Sequence, residues 1–129
     1  MQGAEPPGLV AGLGCCHGCP ADALAALVRS AELQAGARVV RLATASFKAG
    51  DVTPAARLLG LPLDVVGEAA LLAVQARCVT RSAVALRVHG VASVAEGAAL
   101  AAAGDGAVLV LPRIVGGGAS CAIARGASA

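Results

Sequence analysis

Residues 9–20 have the sequence LVAGLGCCHGCP, and this stretch indicates the fold class most clearly. Its first part, Leu9–Leu13, is a short apolar run closed by glycine, which is typical of a strand buried on both faces of a sheet. Its last residue, Pro20, suits the first position of a helix, because the N–H that proline lacks would be unpaired there. The stretch therefore predicts a strand, a loop over Cys15–Cys19 and a helix.

The same alternation of strand and helix continues along the chain. Gly36 and Gly60 are predicted to end the first two helices, and Thr53 followed by Pro54 predicts an N-cap and first turn for the second. Further helices are predicted over Glu68–Ala76 and 94–103. The predicted strands are Leu9–Leu13, Val39–Leu42, Leu63–Val66, Ala107–Leu111 and Ser120–Ala124, with a turn over Gly116–Gly118.

Ser93 and Glu96 form an S-x-x-E capping box before the alanine-rich helix over 94–103. In such a box each side chain binds the backbone N–H of the other residue, so Glu96→Ala is expected to cost ~1 kcal/mol or less. The preceding segment, 77–92, is ambiguous. Val84, Leu86 and Val88 alternate with smaller or polar residues there, which favours a strand.

Strands that alternate with helices predict an α/β fold, because helices then cover both faces of a largely parallel sheet. We expect a single three-layer α/β/α domain over residues 1–129. The last two strands are joined by a short glycine turn, which predicts an antiparallel pair at the C-terminal end of an otherwise mainly parallel sheet.

Composition excludes several classes of protein. The net charge is +2 and the ten basic residues are scattered, so nucleic acid is not an expected partner. No stretch reaches the ~20 uninterrupted apolar residues of a spanning helix, and the N-terminus lacks a basic leader, so no membrane is expected either. Five cysteines, three of them within five positions, favour a reducing cytoplasm over a disulfide framework.

Ligands of such folds bind at the carboxyl ends of the strands, where helix N-termini offer free N–H groups to anions. The first loop there could be a tight turn, an anion-binding backbone pocket, a thiol redox site or a soft-metal site. His17 stands where a dinucleotide fingerprint has its third glycine, so that fingerprint is absent. The candidate ligand contacts in this loop are Gly12, Gly14, Cys15, Cys16, His17 and Gly18, with no metal or cofactor expected.

Two more loops, 43–53 and 89–94, lie at the same predicted edge. Thr44 and Lys48 are candidate ligand contacts in the first of these, since a lysine can pair with a substrate carboxylate. Gly90, Ser93 and Glu96 are candidates in the second, although the capping box already accounts for the last two. If the protein is an enzyme, its catalytic residues are sought among Lys48, Asp51 and Glu96, with His89 as a further possible base.

Taken together, four motifs resemble the CobE/CbiG C-terminal family, in order and over nearly the whole chain. One departure is that Cys16 replaces an arginine common in the first loop of that family. The first matching motif is Gly12–Gly18, and the second is Leu42–Thr44 with Lys48, Asp51 and the following Leu59–Pro62. The third is Ser82, Val84 and Gly90–Leu100, and the fourth is Leu109–Arg113 with Cys121–Ala124.

The resemblance implies a role in cobalamin (vitamin B12) biosynthesis, on or bound to a corrin or precorrin tetrapyrrole. The implied partners are a corrinoid or precorrin intermediate and other enzymes of the cobalamin pathway. CbiG-type proteins are similar to cobalt-precorrin-5A hydrolases, which open a lactone and release acetaldehyde, so this activity is the alternative to a binding role. A thiol redox or metal-binding protein is the remaining alternative.

Overall fold

A computed structural model describes residues 8–81, 86–87 and 93–126. Its strands are β1 (Leu9–Cys15), β2 (Val39–Ala45), β3 (Leu63–Val66), β4 (Val108–Gly116) and β5 (Ala119–Arg125). Its helices are α1 (Ala21–Ala35), α2 (Ala49–Leu59), α3 (Glu68–Ala73) and α4 (Val94–Ala103), with short 3₁₀ turns over Ser46–Lys48 and Gln75–Arg77. No helix within these described ranges is long and apolar enough to cross a membrane.

The five strands form one mixed sheet in the order β3-β2-β1-β5-β4. Strands β1, β2 and β3 are parallel neighbours, while β5 runs antiparallel to both β1 and β4. The predicted α/β fold with an antiparallel C-terminal pair is therefore confirmed. Since β5 lies between β1 and β4, the antiparallel strand lies inside the sheet, and β4 again runs parallel to β1.

Alternate residues of β1 pack into two hydrophobic cores, one on each face of the sheet. Both faces of this strand are therefore apolar. Ala11 and Leu13 pack with α1 and α2 on one face, while Val10 packs on the other face with Val94 of α4. Small residues let α4 approach closely. A Cβ atom placed on Gly12 would lie 2.0 Å from the carbonyl oxygen of Ala95, so only glycine fits between strand and helix.

The start of α2 differs from the prediction. The helix begins at Ala49, and Thr53 is not its N-cap; instead Thr53 Oγ1 donates to the carbonyl oxygen of Ala49 at 2.7 Å. This hydroxyl bond to the preceding turn is an alternative to capping for a threonine in a helix. Pro54 consequently lies inside the helix rather than in its first turn. The observed N-terminus of α2 therefore lies next to Lys48, closer to the end of β2 than predicted.

Smaller differences concern helix ends and the ambiguous segment. Pro20 is the N-cap of α1 rather than its first residue, and α3 ends at Ala73 before a 3₁₀ turn. Leu86 and Arg87 are helical, so the strand prediction is wrong at these two positions. The rest of that predicted strand lies outside the described residues, as do the candidates His89 and Gly90.

Candidate functional site

Three connections meet at the carboxyl edge of the sheet. The loop after β1 leads into α1, the 3₁₀ turn after β2 leads into α2, and the Gly117–Gly118 turn joins β4 to β5. Hydrogen bonds link all three. The Cys16 N–H donates to the carbonyl oxygen of Gly118 at 3.0 Å, and the Gly18 N–H donates to Asp51 Oδ1 at 3.3 Å. The first two loops predicted to form a site therefore do lie side by side.

Asp51, in the first turn of α2, holds the first loop in place. Its Oδ1 atom also lies 3.7 Å from Nδ1 of His17, an ion pair whenever that imidazole is protonated. The His17 side chain is 97% exposed whereas that of Asp51 is 21% exposed, so the carboxylate is the fixed partner of the pair. The distance is too long for a hydrogen bond, so Asp51 attracts a protonated His17 without fixing the orientation of its exposed ring.

Cys15, at the end of β1, lies beneath this edge. Burial and, to a smaller extent, the Asp51 carboxylate together raise the pKa of its thiol to about 11, against the opposing effect of Lys48. Cys15 is consequently a neutral thiol at physiological pH, packed against the core shared with α1 and α2. Lys48 itself is half-buried, at the junction of the 3₁₀ turn and α2.

Thr44 has a structural partner. Its side chain is fully buried, and its Oγ1 atom donates to the carbonyl oxygen of Leu13 at 2.7 Å, across the β1–β2 pair. Gly14 is contacted from the neighbouring strand β5, where Ser120 Oγ donates to its carbonyl oxygen at 3.4 Å. A role for Thr44, Gly12 and Gly14 in ligand contact stays a prediction, while their packing roles are visible in the structure.

The start of α4 lies on the opposite face of the sheet at the same edge, since Val94 would contact a Cβ atom on Gly14 at 3.4 Å. Half of the predicted capping box is present: Ser93 Oγ accepts from the Glu96 N–H at 3.2 Å. The other half is wrong. The Ser93 N–H donates at 3.3 Å to Oε1 of Gln75, not to Glu96, because the glutamate side chain points away to other donors.

Glu96 is fully buried, and it accepts four hydrogen bonds from the residues that the structure describes. Its Oε1 atom accepts from the backbone N–H groups of Val79 at 2.8 Å and Thr80 at 2.9 Å. Its Oε2 atom accepts from Thr80 Oγ1 at 2.8 Å and from the Arg113 N–H at 2.9 Å. A carboxylate that accepts two bonds on each oxygen matches four donors well. Sequence reasoning missed this role because the partners lie 16 or 17 residues away.

Within the described ranges, no three His, Cys, Asp or Glu side chains are arranged to hold a metal ion. A concave surface lies at the far end of the sheet, where α1 ends. It is lined by Arg29, Glu32, Leu33, Gly36, Ala37 and Arg38. Arg29 and Glu32 form an ion pair there at 3.1 Å, and Glu32 also accepts from the Val39 N–H. That surface shares no residue with the carboxyl edge.

The fold and this edge define a small α/β protein whose candidate ligand loops cluster at the carboxyl ends of a mixed sheet. The chain belongs to the family described as cobalamin synthesis G C-terminus, whose model matches residues 9–124. The predicted family is therefore confirmed, and the chain is a CobE/CbiG-like cobalamin biosynthesis protein.

Similar proteins agree with this assignment. A protein CobE of Sinorhizobium sp is 35% identical over 122 residues, which cover 91% of this chain and 79% of that protein. The crystal structure of CobE, a protein from the cobalamin (vitamin B12) biosynthetic pathway, has a TM-score of 0.85 and 37% identity, over 97% of this chain and 94% of that one. The cobalamin biosynthesis protein chiG from Agrobacterium tumefaciens str. C58 has a TM-score of 0.76 and 40% identity, over 93% and 99%.

Proposed function

We propose that this protein binds a corrin or precorrin intermediate of cobalamin biosynthesis at the carboxyl edge of its sheet. Such tetrapyrroles carry acetate and propionate side chains around an apolar macrocycle, so their binding site must offer both anion donors and apolar surface. The observation that supports this edge is that Asp51 and the backbone of Cys16 tie together the loops after β1, β2 and β4. Other enzymes of the pathway, in the cytoplasm, are the proposed partners.

Positive charge at this edge comes from two sources. Helices α1 and α2 both begin here, and the first turn of a helix presents unpaired N–H groups and a positive dipole end. Lys48 adds a full charge immediately before α2. A carboxylate placed between the two helix starts would therefore meet backbone donors from either side and the ammonium group of Lys48.

Apolar contact for a macrocycle is also available nearby. Phe47, the one aromatic side chain of the sequence, is 42% exposed and precedes Lys48 in the same 3₁₀ turn. Next to the first loop, the glycine turn between β4 and β5 offers backbone that a flat ring can approach closely. We propose that carboxylates of the ligand bind Lys48 and the helix starts while a face of the ring lies against these surfaces.

Titration with hydrogenobyrinic acid, followed by the visible absorbance of the corrinoid, tests this proposal. The chain has no Trp or Tyr, so the protein contributes almost nothing to the near-ultraviolet spectrum. We expect a saturable spectral shift and co-elution of corrinoid with protein on gel filtration. An unchanged spectrum together with separate elution, for this ligand and for earlier pathway intermediates, would contradict the proposal.

The pairing of His17 with Asp51 favours a second candidate function, lactone opening of the cobalt-precorrin-5A hydrolase type. Asp51 Oδ1 lies 3.7 Å from His17 Nδ1, where its charge would stabilise the imidazolium that forms when His17 takes a proton from water. The hydroxide would attack the lactone carbonyl, the C–O bond of the lactone ring would break, and the imidazolium would return the proton to the departing alkoxide. Cleavage of the C–C bond that joins the resulting hydroxyethyl group to the macrocycle would then release acetaldehyde and leave a proton on the macrocycle carbon. Acetaldehyde measured with alcohol dehydrogenase and NADH separates this activity from simple binding, and loss of that signal in His17→Gln would assign the base.

A further inference from the structure

The segment Cys16–Cys19 forms a tight turn with a cysteine at each end. The Cys19 N–H donates to the carbonyl oxygen of Cys16 at 3.2 Å, and Gly18 has a φ of 77°. A hydrogen bond of this kind with positive φ at the third residue defines a β-turn, in which the outer Cα atoms lie within ~7 Å of one another. Disulfides join Cα atoms that are roughly 4.4–6.8 Å apart. The backbone therefore holds the two cysteines within bonding range.

The two sulfur atoms face the same neighbour. Cys19 Sγ lies 3.5 Å from the carbonyl oxygen of Gly117, and Cys16 Sγ lies 4.0 Å from the position that a Cβ atom would take at Gly118. Gly117 and Gly118 are adjacent residues of one turn. Both sulfurs thus have the β4–β5 connection as a neighbour, and Cys19 also packs against the core shared with α1 and α2.

The other three cysteines lie within strands or on the opposite face of the sheet. Cys15 belongs to β1 and packs against the core shared with α1 and α2. Cys121 is fully buried in β5, and Cys78 is buried against α4 on the opposite face of the sheet. All five cysteines are free thiols in this structure. Cys16 and Cys19 are consequently the pair whose surroundings favour reaction with each other.

We propose that Cys16 and Cys19 are a redox-active dithiol, which closes to an intra-loop disulfide by exchange with a low-molecular-weight disulfide such as oxidised glutathione. The exposed Cys16, as thiolate, attacks one glutathione sulfur, and the S–S bond of the reagent breaks to release one glutathione thiol. The Cys19 thiolate then attacks Cys16 Sγ of this mixed disulfide and expels the second glutathione. The two protein thiols lose two electrons and two protons, and glutathione disulfide gains them.

The surroundings also set the rate of this exchange. Helix α1 begins at Ala21, two residues after Cys19, so its N-terminus does not activate the thiol as in a thioredoxin-like site. Burial instead raises the pKa of Cys19 above that of a free thiol. Ring closure therefore accelerates as the pH rises. Closure also removes the Cys19 thiol proton that is shared with the Gly117 oxygen, while the bond from the Cys16 N–H to the Gly118 oxygen remains.

The test uses the full chain incubated with mixtures of reduced and oxidised glutathione, followed by acid quenching, alkylation and intact mass measurement. Wild type is expected to lose two hydrogen atoms and to keep three alkylatable thiols. Tandem mass spectra should show ready backbone cleavage between Cys15 and Cys16, because Cys15 lies outside the disulfide ring. A ring that includes Cys15, or five alkylated thiols at every glutathione ratio, would overturn the proposal.

Serine variants supply the matched controls. Cys15→Ser is expected to form the disulfide as readily as wild type, whereas Cys16→Ser should not form it. Cys19→Ser should stop at the mixed disulfide and carry one bound glutathione on Cys16. If Cys15→Ser lost the disulfide while keeping its far-ultraviolet circular dichroism, Cys15 would be the partner and the assignment would be wrong. These outcomes do not depend on corrinoid binding, so they test the disulfide independently of the proposed function.

Discussion

Glu96 Oε2 accepts a hydrogen bond from the backbone N–H of Arg113 at 2.9 Å, which joins the first turn of α4 to the middle of β4. The ladder between β4 and β5 shifts register between Leu111 and Ile114. Such a bulge leaves a backbone N–H outside the regular pairing, where another acceptor can use it. The same carboxylate binds the N–H groups of Val79 and Thr80, so one buried side chain joins three separate parts of the chain.

Replacement of Glu96 by alanine is therefore expected to cost much more than the loss of a helix cap. Four donors would lose their acceptor in a buried site, and hydrogen bonds to a charged group contribute about 1.5–3 kcal/mol each. We expect Glu96→Ala to lower the free energy of unfolding by about 3 kcal/mol or more, measured by urea denaturation with circular dichroism. Glu96→Gln should be intermediate, since the amide keeps one acceptor oxygen but turns its N–H₂ towards other donors.

Glu68→Ala provides the matched control for Glu96. Glu68 is also an acidic residue in the first turn of a helix, but it is exposed. Its removal should change the stability by at most about 1 kcal/mol, the usual size of a charge–dipole interaction at a helix start. Equal losses for the two variants would mean that the four hydrogen bonds of Glu96 contribute nothing beyond that interaction.

The close contact between β1 and α4 predicts that Gly12→Ala is strongly destabilising. The new methyl group would lie 2.0 Å from the Ala95 oxygen and 2.6 Å from the Ala99 nitrogen, both backbone atoms, so α4 must move away. Overpacking of this kind costs about 1–3 kcal/mol, and a clash with backbone lies at the upper end or beyond. Thermal and urea denaturation should both show this loss.

Gly50→Ala tests whether the effect at Gly12 comes from space rather than from glycine itself. Gly50 lies in α2, and a Cβ atom there would meet nothing within 4 Å. Since alanine is favoured over glycine in a helix by about 0.5–1 kcal/mol, this variant should be slightly more stable than wild type. If Gly12→Ala were as stable as Gly50→Ala, the tight packing of α4 on β1 would be wrong.

Some features of the fold can be predicted from the sequence and others cannot. Strand β1 and the ends of α1 and α2 at Gly36 and Gly60 follow from local patterns, because burial on both faces and left-handed glycine caps leave signals within a few residues. The insertion of β5 between β1 and β4 leaves no such signal, because strand neighbours are selected by packing between distant segments.

The candidate site likewise has parts that the sequence predicts and parts that it does not. The carboxyl-edge rule correctly brings together the loops after β1 and β2, but the contact between Asp51 and Gly18 spans 33 positions and has no local signature. The Thr53-Pro54 pair misplaced the start of α2, because a hydroxyl that bonds back to Ala49 and one that caps a helix occur in similar sequences. The sequence around Glu96 predicts a capping box, because its actual donors are distant in the sequence and meet it only in the folded chain.

Because its buried thiols have raised pKa values, the protein is expected to lose stability at alkaline pH. Burial raises the pKa of Cys121 to about 12 from 9.0, so the folded chain keeps this proton at a pH where the unfolded chain releases it. The unfolded state then binds fewer protons than the folded state. The free energy of unfolding therefore falls as the pH rises from the pKa of a free thiol to the pKa of the folded chain. Each such thiol contributes a fall of up to about 1.4 kcal/mol per pH unit in this range.

The variant Cys121→Ala isolates this contribution. It should be less stable than wild type at neutral pH because it leaves a small cavity in β5, but its stability should fall less steeply above pH 9. Urea denaturation at a series of pH values, under reducing conditions, measures both slopes. Parallel slopes for the two proteins would show that Cys121 does not titrate differently in the folded and unfolded states.

Lys48→Ala tests whether the carboxyl edge binds an acidic ligand. Its ammonium group is the full positive charge that lies immediately before α2, and a charge-assisted hydrogen bond to a carboxylate contributes about 1.5–3 kcal/mol. We expect the dissociation constant for hydrogenobyrinic acid to rise about tenfold or more, with no change in urea denaturation because Lys48 is only half-buried. Lys48→Arg should retain most of the affinity.

Arg57→Ala separates a local contact from a general effect of charge. Arg57 lies in the last turn of α2, exposed and at the opposite end of the same helix, and its removal changes the net charge by the same amount. Its effect on affinity should be small and should vanish at higher salt, because a distant charge is screened within about 10 Å at moderate ionic strength. If both variants weakened binding equally, the ligand would be attracted by net charge alone, and the carboxyl edge would lose its special role.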